Sequence, residues 1–152
     1  MSPAFRTTRR VEFADTDMAG IVHFANFFRY MEAAEHACLR ACGLSVVGEW
    51  EGQPVSFPRV SASCDYLRPA RFAEVLEVLV RVARVGRSSV TYAFEFMKPG
   101  ETVAQGQITA VFCRVLPGHG IEPLEIPGPI RERLTAGPPS REGRASSSAS
   151  TE

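Results

Sequence analysis

The chain has no surplus of charge of either sign: seventeen Lys and Arg residues stand against seventeen Asp and Glu residues in a length of 152. A balanced surface lacks the broad positive field that holds a phosphate backbone, so no nucleic-acid partner is expected. Long uncharged runs are missing as well. No stretch approaches the ~20 apolar residues of a membrane-spanning helix, and the first residues carry no apolar run of signal-peptide type. The expectation is a cytoplasmic protein with no membrane partner. Cysteine is sparse, and Cys38, Cys42, Cys64 and Cys113 form no CxxC pair, which argues against a zinc site and a redox dithiol. The histidines His23, His36 and His119 are too few and too scattered for a metal cluster. A GxSxG elbow, a P-loop and a dinucleotide fingerprint are all missing, so neither a metal nor an organic cofactor is implied.

What is present reads as one domain over residues 1–136, followed by a tail over 137–152. The tail sequence, GPPSREGRASSSASTE, has no aromatic or large aliphatic residue to give to a core and is expected to be disordered. Loose alternation from Phe5 to Phe13 predicts a first strand. Residues 15 to 28, DTDMAGIVHFANFF, suit a turn that feeds a helix, running from about Phe24 or Asn26 to Cys42 with Gly43 as its left-handed stop. At 100 degrees per residue, Phe27, Phe28, Met31, Ala34, Cys38, Leu39 and Cys42 share a broad arc, so something must wrap this helix. Glu35 falls inside the arc and Glu32 at its edge. A loop is expected from Gly48 to Pro54, then extended stretches near Val60–Tyr66, Val75–Val85, Val90–Phe96 and Val103–Leu116, and a short helix at Ile130–Leu134. Turn signals between these stretches predict hairpin-connected, antiparallel neighbours. The fold class is therefore α+β, with the helix on one face of the sheet.

The chemistry-bearing candidates are few. Asp15 and Asp17 precede a helix start, where unpaired N–H groups and the helix dipole can hold a developing oxyanion. The two are not expected to act as a carboxylate dyad. A carboxylate beside such amides could attack a thioester carbonyl or activate a water, or it could simply cap the turn. The spacing leaves both readings open. Glu32 and Glu35 are equally open between function and a paired structural acid.

The segment VEFADTDMAGIVHFANFFRYMEAAE, residues 11 to 35, resembles the signature of the 4-hydroxybenzoyl-CoA thioesterase family of hotdog proteins. VSASCDYLRPAR, residues 60 to 71, resembles that family's second strand with its Pro-Ala motif. The resemblance, over roughly residues 5 to 130, implies a hotdog fold: a long central helix wrapped by an antiparallel β-sheet. It also implies homo-oligomers, dimers or homotetramers, with active sites at the subunit interface. By the same resemblance Asp17 is the catalytic acid and the Phe24 amide polarises the carbonyl. His23 and Glu32 are substrate-binding, as are Phe57 and Pro58, while Arg87, Ser88 and Ser89 bind the CoA nucleotide. The Phe57-Pro58 pair and the ADTD-x-AG opening look closest to naphthoyl-type sequences, which points to a small aromatic acyl-CoA, of hydroxybenzoyl or dihydroxynaphthoyl type, as substrate. The alternatives are a short-chain aliphatic acyl-CoA thioesterase, a hydratase pairing His23 or His36 with Glu32 or Glu35, and a non-catalytic module that binds acyl-CoA or acyl carrier protein.

Overall fold

The computed structural model describes residues 3–139, so residues 140–152 of the expected tail lie outside the described residues. Strand β1 (Phe5–Arg10) leads through a 3-10 turn (Phe13–Asp15) to helix α1 (Asn26–Ala41), and β2 (Val47–Trp50), β3 (Gln53–Ser56) and β4 (Arg59–Tyr66) follow. Then come β5 (Val75–Val85), β6 (Ser89–Lys98), β7 (Glu101–Val111), β8 (Cys113–Val115), β9 (Ile121–Pro123) and helix α2 (Gly128–Ala136). The large sheet is five-stranded in the order β1-β5-β6-β7-β4, and every pairing in it is antiparallel. A smaller sheet has the order β2-β3-β8-β9.

Period-two patterning drives the large sheet onto the helix. Leu76, Val78, Val80 and Val82 of β5, with Val90, Tyr92, Phe94 and Phe96 of β6, are buried. They meet the stripe of α1 formed by Phe27, Tyr30, Met31, Ala34, Cys38 and Leu39. Burying side chains of this size stabilises the fold by about 1.5–3 kcal/mol each. Gly106 of β7 lets α1 come close, because a Cβ there would collide with the Met31 thioether and lie 2.8 Å from the Ser63 carbonyl oxygen. This is the wrapped helix and antiparallel sheet of the hotdog fold.

Three expectations are corrected. The first strand stops at Arg10, because the Asp15 carboxylate accepts the Glu12 N–H (3.0 Å) and closes a turn where the alternation suggested more strand. The expected loop at 48–54 is the β2–β3 hairpin, turned by Glu51 (φ 52) and Gly52 (φ 76); two consecutive positive φ values make the two-residue turn whose twist suits a hairpin. The expected single strand Val103–Leu116 is divided at Phe112, whose N–H is captured by the Ser88 carbonyl (2.7 Å). The chain then leaves the large sheet and continues as β8 in the small one. By contrast, Gly43 ends α1 with φ 74 as expected. No helix among the described residues is long and apolar enough to cross a membrane.

Candidate active site

Between β1 and α1 the chain folds back on itself as a narrow antiparallel loop. The His23 N–H donates to the Asp15 carbonyl (2.9 Å), Thr16 bridges Val22, and the Asp17 N–H donates to the Ile21 carbonyl (2.9 Å). Its tip is a tight turn in which the Gly20 N–H returns to the Asp17 carbonyl (2.9 Å). Gly20 sits at φ 78, where a side chain would be strained. The Asp-x-x-Gly spacing is therefore a requirement of the turn. The Asp17 side chain reinforces it, Oδ1 accepting the Ala19 N–H at 2.8 Å.

The two aspartates part company here. Asp15 points inward: Oδ2 accepts from the Tyr30 hydroxyl (2.8 Å) and from the Glu12 N–H (3.0 Å), while its carbonyl accepts from the Asn26 side-chain amide (2.8 Å). Burial, reinforced by the hydrogen bond to Asp15, holds the Tyr30 phenol well above its ordinary pKa, so it stays a donor. The Arg9 guanidinium lies 4.8 Å over the Tyr30 ring and adds a cation–π contact. Asp15 is thus a structural anchor joining the loop to α1. Asp17 is exposed in the single chain.

The amides leading into α1 are almost all committed. Those of Val22, His23, Asn26, Phe27 and Phe28 donate to carbonyls, and that of Ala25 donates to His23 Nδ1 (3.2 Å). Among the described residues the Phe24 N–H has no hydrogen-bond partner, and Phe24 itself is 62 % exposed. One free amide at a helix entrance, a few residues from an exposed carboxylate, is an arrangement able to stabilise negative charge on a carbonyl oxygen. Aromatic surfaces flank it. His23 and Phe24 stack with centroids 4.6 Å apart, and Tyr66, at the end of β4, meets the Phe24 ring edge-on at 6.5 Å. The Tyr66 hydroxyl donates to the Phe24 carbonyl at 3.0 Å. Glu32 is exposed two turns further along α1.

The remaining candidates lie elsewhere. Phe57 is buried against Phe112 (centroids 5.2 Å), and the neighbouring Pro58 carbonyl accepts the Val111 N–H (3.0 Å). Arg87 and Ser88 form the β5–β6 turn, and Ser89 opens β6; the exposed Arg87 guanidinium is 3.9 Å from Glu125, and the Arg131 side chain bonds the carbonyls of Gly86 and Arg87. Strand β5 begins opposite Arg10, near the Asp17 loop, and ends at this turn. Eleven residues of strand amount to roughly 35 Å, so one chain does not bring Arg87 to its own Asp17. Asp17, His23 and Phe24 gather at the start of α1, with Glu32 nearer its middle; Phe57, Pro58, Arg87, Ser88 and Ser89 gather at the other end.

Asp17 lines none of three hollows on the chain. One of about 270 Å³ lies at the far end between Leu44, Trp50, Val55, Phe57 and Ile130. Another, about 500 Å³, is a hydrophilic depression on the sheet face turned away from α1, lined by Ser63, Asp65, Arg81, Glu95 and Gln107, and a third, about 510 Å³, lies beside the β8–β9 turn between Gln53, Arg114, Leu116 and His119. Sequence reasoning missed Tyr30 and Tyr66, although both place a hydroxyl on an otherwise apolar face, which is the signal that could have found them. Glu35, left open between function and pairing, is buried and paired with Arg59 through Nη2 at 3.0 Å.

Residues 19–105 match the Thioesterase superfamily. The chain is 30% identical over 132 residues to a 1,4-dihydroxy-2-naphthoyl-CoA hydrolase of Thermosynechococcus vestitus, covering 86% of this chain and 88% of that one. It is 31% identical over 110 residues to the enzyme of the same name from Nostoc punctiforme, covering 72% and 74%. Among solved structures, a gentisyl-coenzyme A thioesterase superposes with a TM-score of 0.73 at 28% identity, covering 86% of this chain and 99% of that one.

Proposed function

The chain belongs to the thioesterase superfamily, and from that premise we propose that it hydrolyses the thioester of a small aromatic acyl-CoA, with Asp17 driving attack on the carbonyl carbon and the Phe24 amide holding the carbonyl oxygen. The observation that carries this reading is the pairing of an exposed carboxylate with the one unpartnered amide at the entrance to α1. As the carbonyl becomes tetrahedral its oxygen gains negative charge, and a fixed N–H at a helix start is worth most at that moment. Two routes use the same carboxylate. It can take a proton from a water whose oxygen bonds the carbonyl carbon, or bond that carbon itself and form an anhydride that water then opens. In both, the carbon–sulfur bond breaks and CoA leaves as a thiolate that takes up a proton. The stacked His23 and Phe24 and the nearby Tyr66 offer flat apolar surface suited to an aromatic acyl group. The relatives named for naphthoyl and gentisyl thioesters point the same way.

The working unit is a homo-oligomer built on a dimer, with each site between two chains. Support comes from β4, an eight-residue strand at the edge of the large sheet with Val60 and Tyr66 exposed along it and Leu67 exposed just beyond. An apolar unpaired edge of this length is suited to pairing with another strand. If β4 pairs with a second copy of itself about a two-fold axis, the start of one strand lies beside the end of the other. The Phe57–Pro58 end of one chain then arrives next to Tyr66 and Phe24 of its neighbour. The two separated groups of candidate residues become one site.

Replacing Asp17 with Asn tests the reading through CoA thiol release from aromatic and aliphatic acyl-CoAs. A loss of about a hundredfold or more in kcat is expected; unchanged turnover on the best substrate rejects it.

A further inference from the structure

The mechanism makes no use of the carboxylate of Glu35, which is completely buried midway along α1. Its Oε2 accepts from Arg59 Nη2 at 3.0 Å, while Oε1 has no partner. The same Nη2 lies 2.9 Å from His36 Nε2. Nearby, the buried Tyr92 hydroxyl of β6 is also without a partner, and burial, with the Glu35 charge adding to it, pushes its phenol pKa upward. As a device for stability this cluster is poor. A buried ion pair gains little over well-packed apolar residues, and an orphaned buried oxygen costs more. As a device for fixing a guanidinium it is effective: a side chain that would otherwise sample many rotamers is gripped by a carboxylate and an imidazole at one nitrogen, and the side chain stays 30% exposed.

Where that head lies follows from the register. Arg59 pairs with Ala110 and Tyr66 with Ala104, and both partners are fully buried on the helix-facing side of β7. Arg59 reaches α1 at Glu35, whereas Tyr66 reaches the helix entrance at Phe24. The two ends of β4 therefore present side chains to the same face. In an antiparallel pairing of β4 with its own copy, Arg59 of one chain comes beside Tyr66 and Phe24 of the other.

Resting on the hydrolase reading above, we propose that Arg59, held by the positioning residues Glu35 and His36, is a specificity-determining residue that serves the Asp17 site of a second copy and donates to a hydroxyl oxygen carried by the acyl ring. A planar guanidinium with donors in a fixed fork suits a ring oxygen of defined position better than a flexible ammonium would.

The experiment measures kcat/KM for benzoyl-CoA and its ortho-, meta- and para-hydroxy derivatives with the full chain, Arg59→Met, Arg59→Lys and Glu35→Gln. The unaltered protein should prefer at least one hydroxylated ester over benzoyl-CoA. Arg59→Met should collapse that preference by about tenfold or more, the effect of losing one charge-assisted hydrogen bond. Arg59→Lys should recover part of it, and Glu35→Gln should shift the ratio in the same direction as Arg59→Met. A common fractional loss on all four esters, or an unchanged ratio in Arg59→Met, overturns the inference. So does an unaltered protein that releases CoA without any preference for a ring hydroxyl, and in that case the hydrolase reading stands. Failure of the unaltered protein to cleave any CoA ester overturns the hydrolase reading itself. Should Glu35→Gln not fold, as judged by its thermal transition, the two Arg59 variants decide the matter.

Discussion

The two ends of α1 are built on different principles. At its start the chain is held almost wholly by backbone and by Asp15: a narrow loop, a glycine turn, a buried tyrosine hydroxyl and a set of committed amides leave the Asp17 carboxylate exposed and the Phe24 N–H without a partner among the described residues. At its far end the structure is held by packing, with Phe57 on Phe112, Trp50 and Ile130 around a hollow, and Arg131 tying α2 to the β5–β6 turn. The first end has reactive groups and little enclosure; the second has enclosure and basic side chains but no acid poised beside a free amide. Each end has what the other lacks, and the proposed antiparallel dimer would join them.

The sharpest way to break this comparison is a mixing experiment between Asp17→Asn and Arg87→Glu, two exposed positions at opposite ends. If each site takes its acid from one chain and its CoA contact from the other, mixing two crippled homodimers should restore up to about a quarter of the sites, because half of the dimers are mixed and each has one intact site. If each chain carries its own complete site, mixing restores nothing. Thiol release before and after exchange of subunits reads the difference. Next in size is Gly106→Ala, which tests the surface shared by both ends. The added methyl must displace Met31 and meets the Ser63 carbonyl, so a destabilisation of about 1–3 kcal/mol is expected in denaturant unfolding.

Tyr30→Phe acts on the start of α1 alone. It removes the hydroxyl from Asp15 while leaving the Glu12 amide in place, and should cost about 1 kcal/mol in unfolding free energy. Activity should fall by more than stability does, because the loop that presents Asp17 is loosened. The smallest expected effect concerns pH. Burial raises the Glu35 carboxyl above its ordinary value, and the Arg59 charge only partly opposes this. A raised folded-state pKa means the folded chain holds this proton more tightly than the unfolded chain. The stability so gained is full below the ordinary carboxylate pKa and is lost as pH climbs through the raised value. Glu35→Gln should flatten that part of the pH–stability curve, as followed by denaturant midpoints across the acidic range.

The sequence disclosed the start of α1 better than the far end, for physical reasons. An Asp-x-x-Gly turn has to place glycine at positive φ, and the amphipathic arc of α1 repeats across a stretch long enough to read; both were legible. That Asp15 and Asp17 would divide their roles was not legible, because residues two apart share a face in extended backbone and only the turns around them part the two side chains. Which of them turned inward depended on Tyr30, a contact 15 residues away in sequence that no local pattern encodes. The β2–β3 hairpin escaped because its strands contain Gly48 and Pro54, poor strand formers, and its turn is Glu-Gly rather than a stronger hairpin pair. The break at Phe112 escaped because apolar residues continue through it, and only a hydrogen bond to Ser88 diverts the chain. Glu35 was visible as an anomaly on the apolar arc, but its partner Arg59 lies on another element.

The hydrogen bond from Tyr66 to the Phe24 carbonyl fastens the last residue of the sheet's open edge to the peptide that frames the proposed oxyanion donor. Anything that orders that edge therefore also steadies the reaction centre. In the proposed dimer, association would be a form of activation, so specific activity should decline on dilution below the dimer dissociation constant and return on reconcentration.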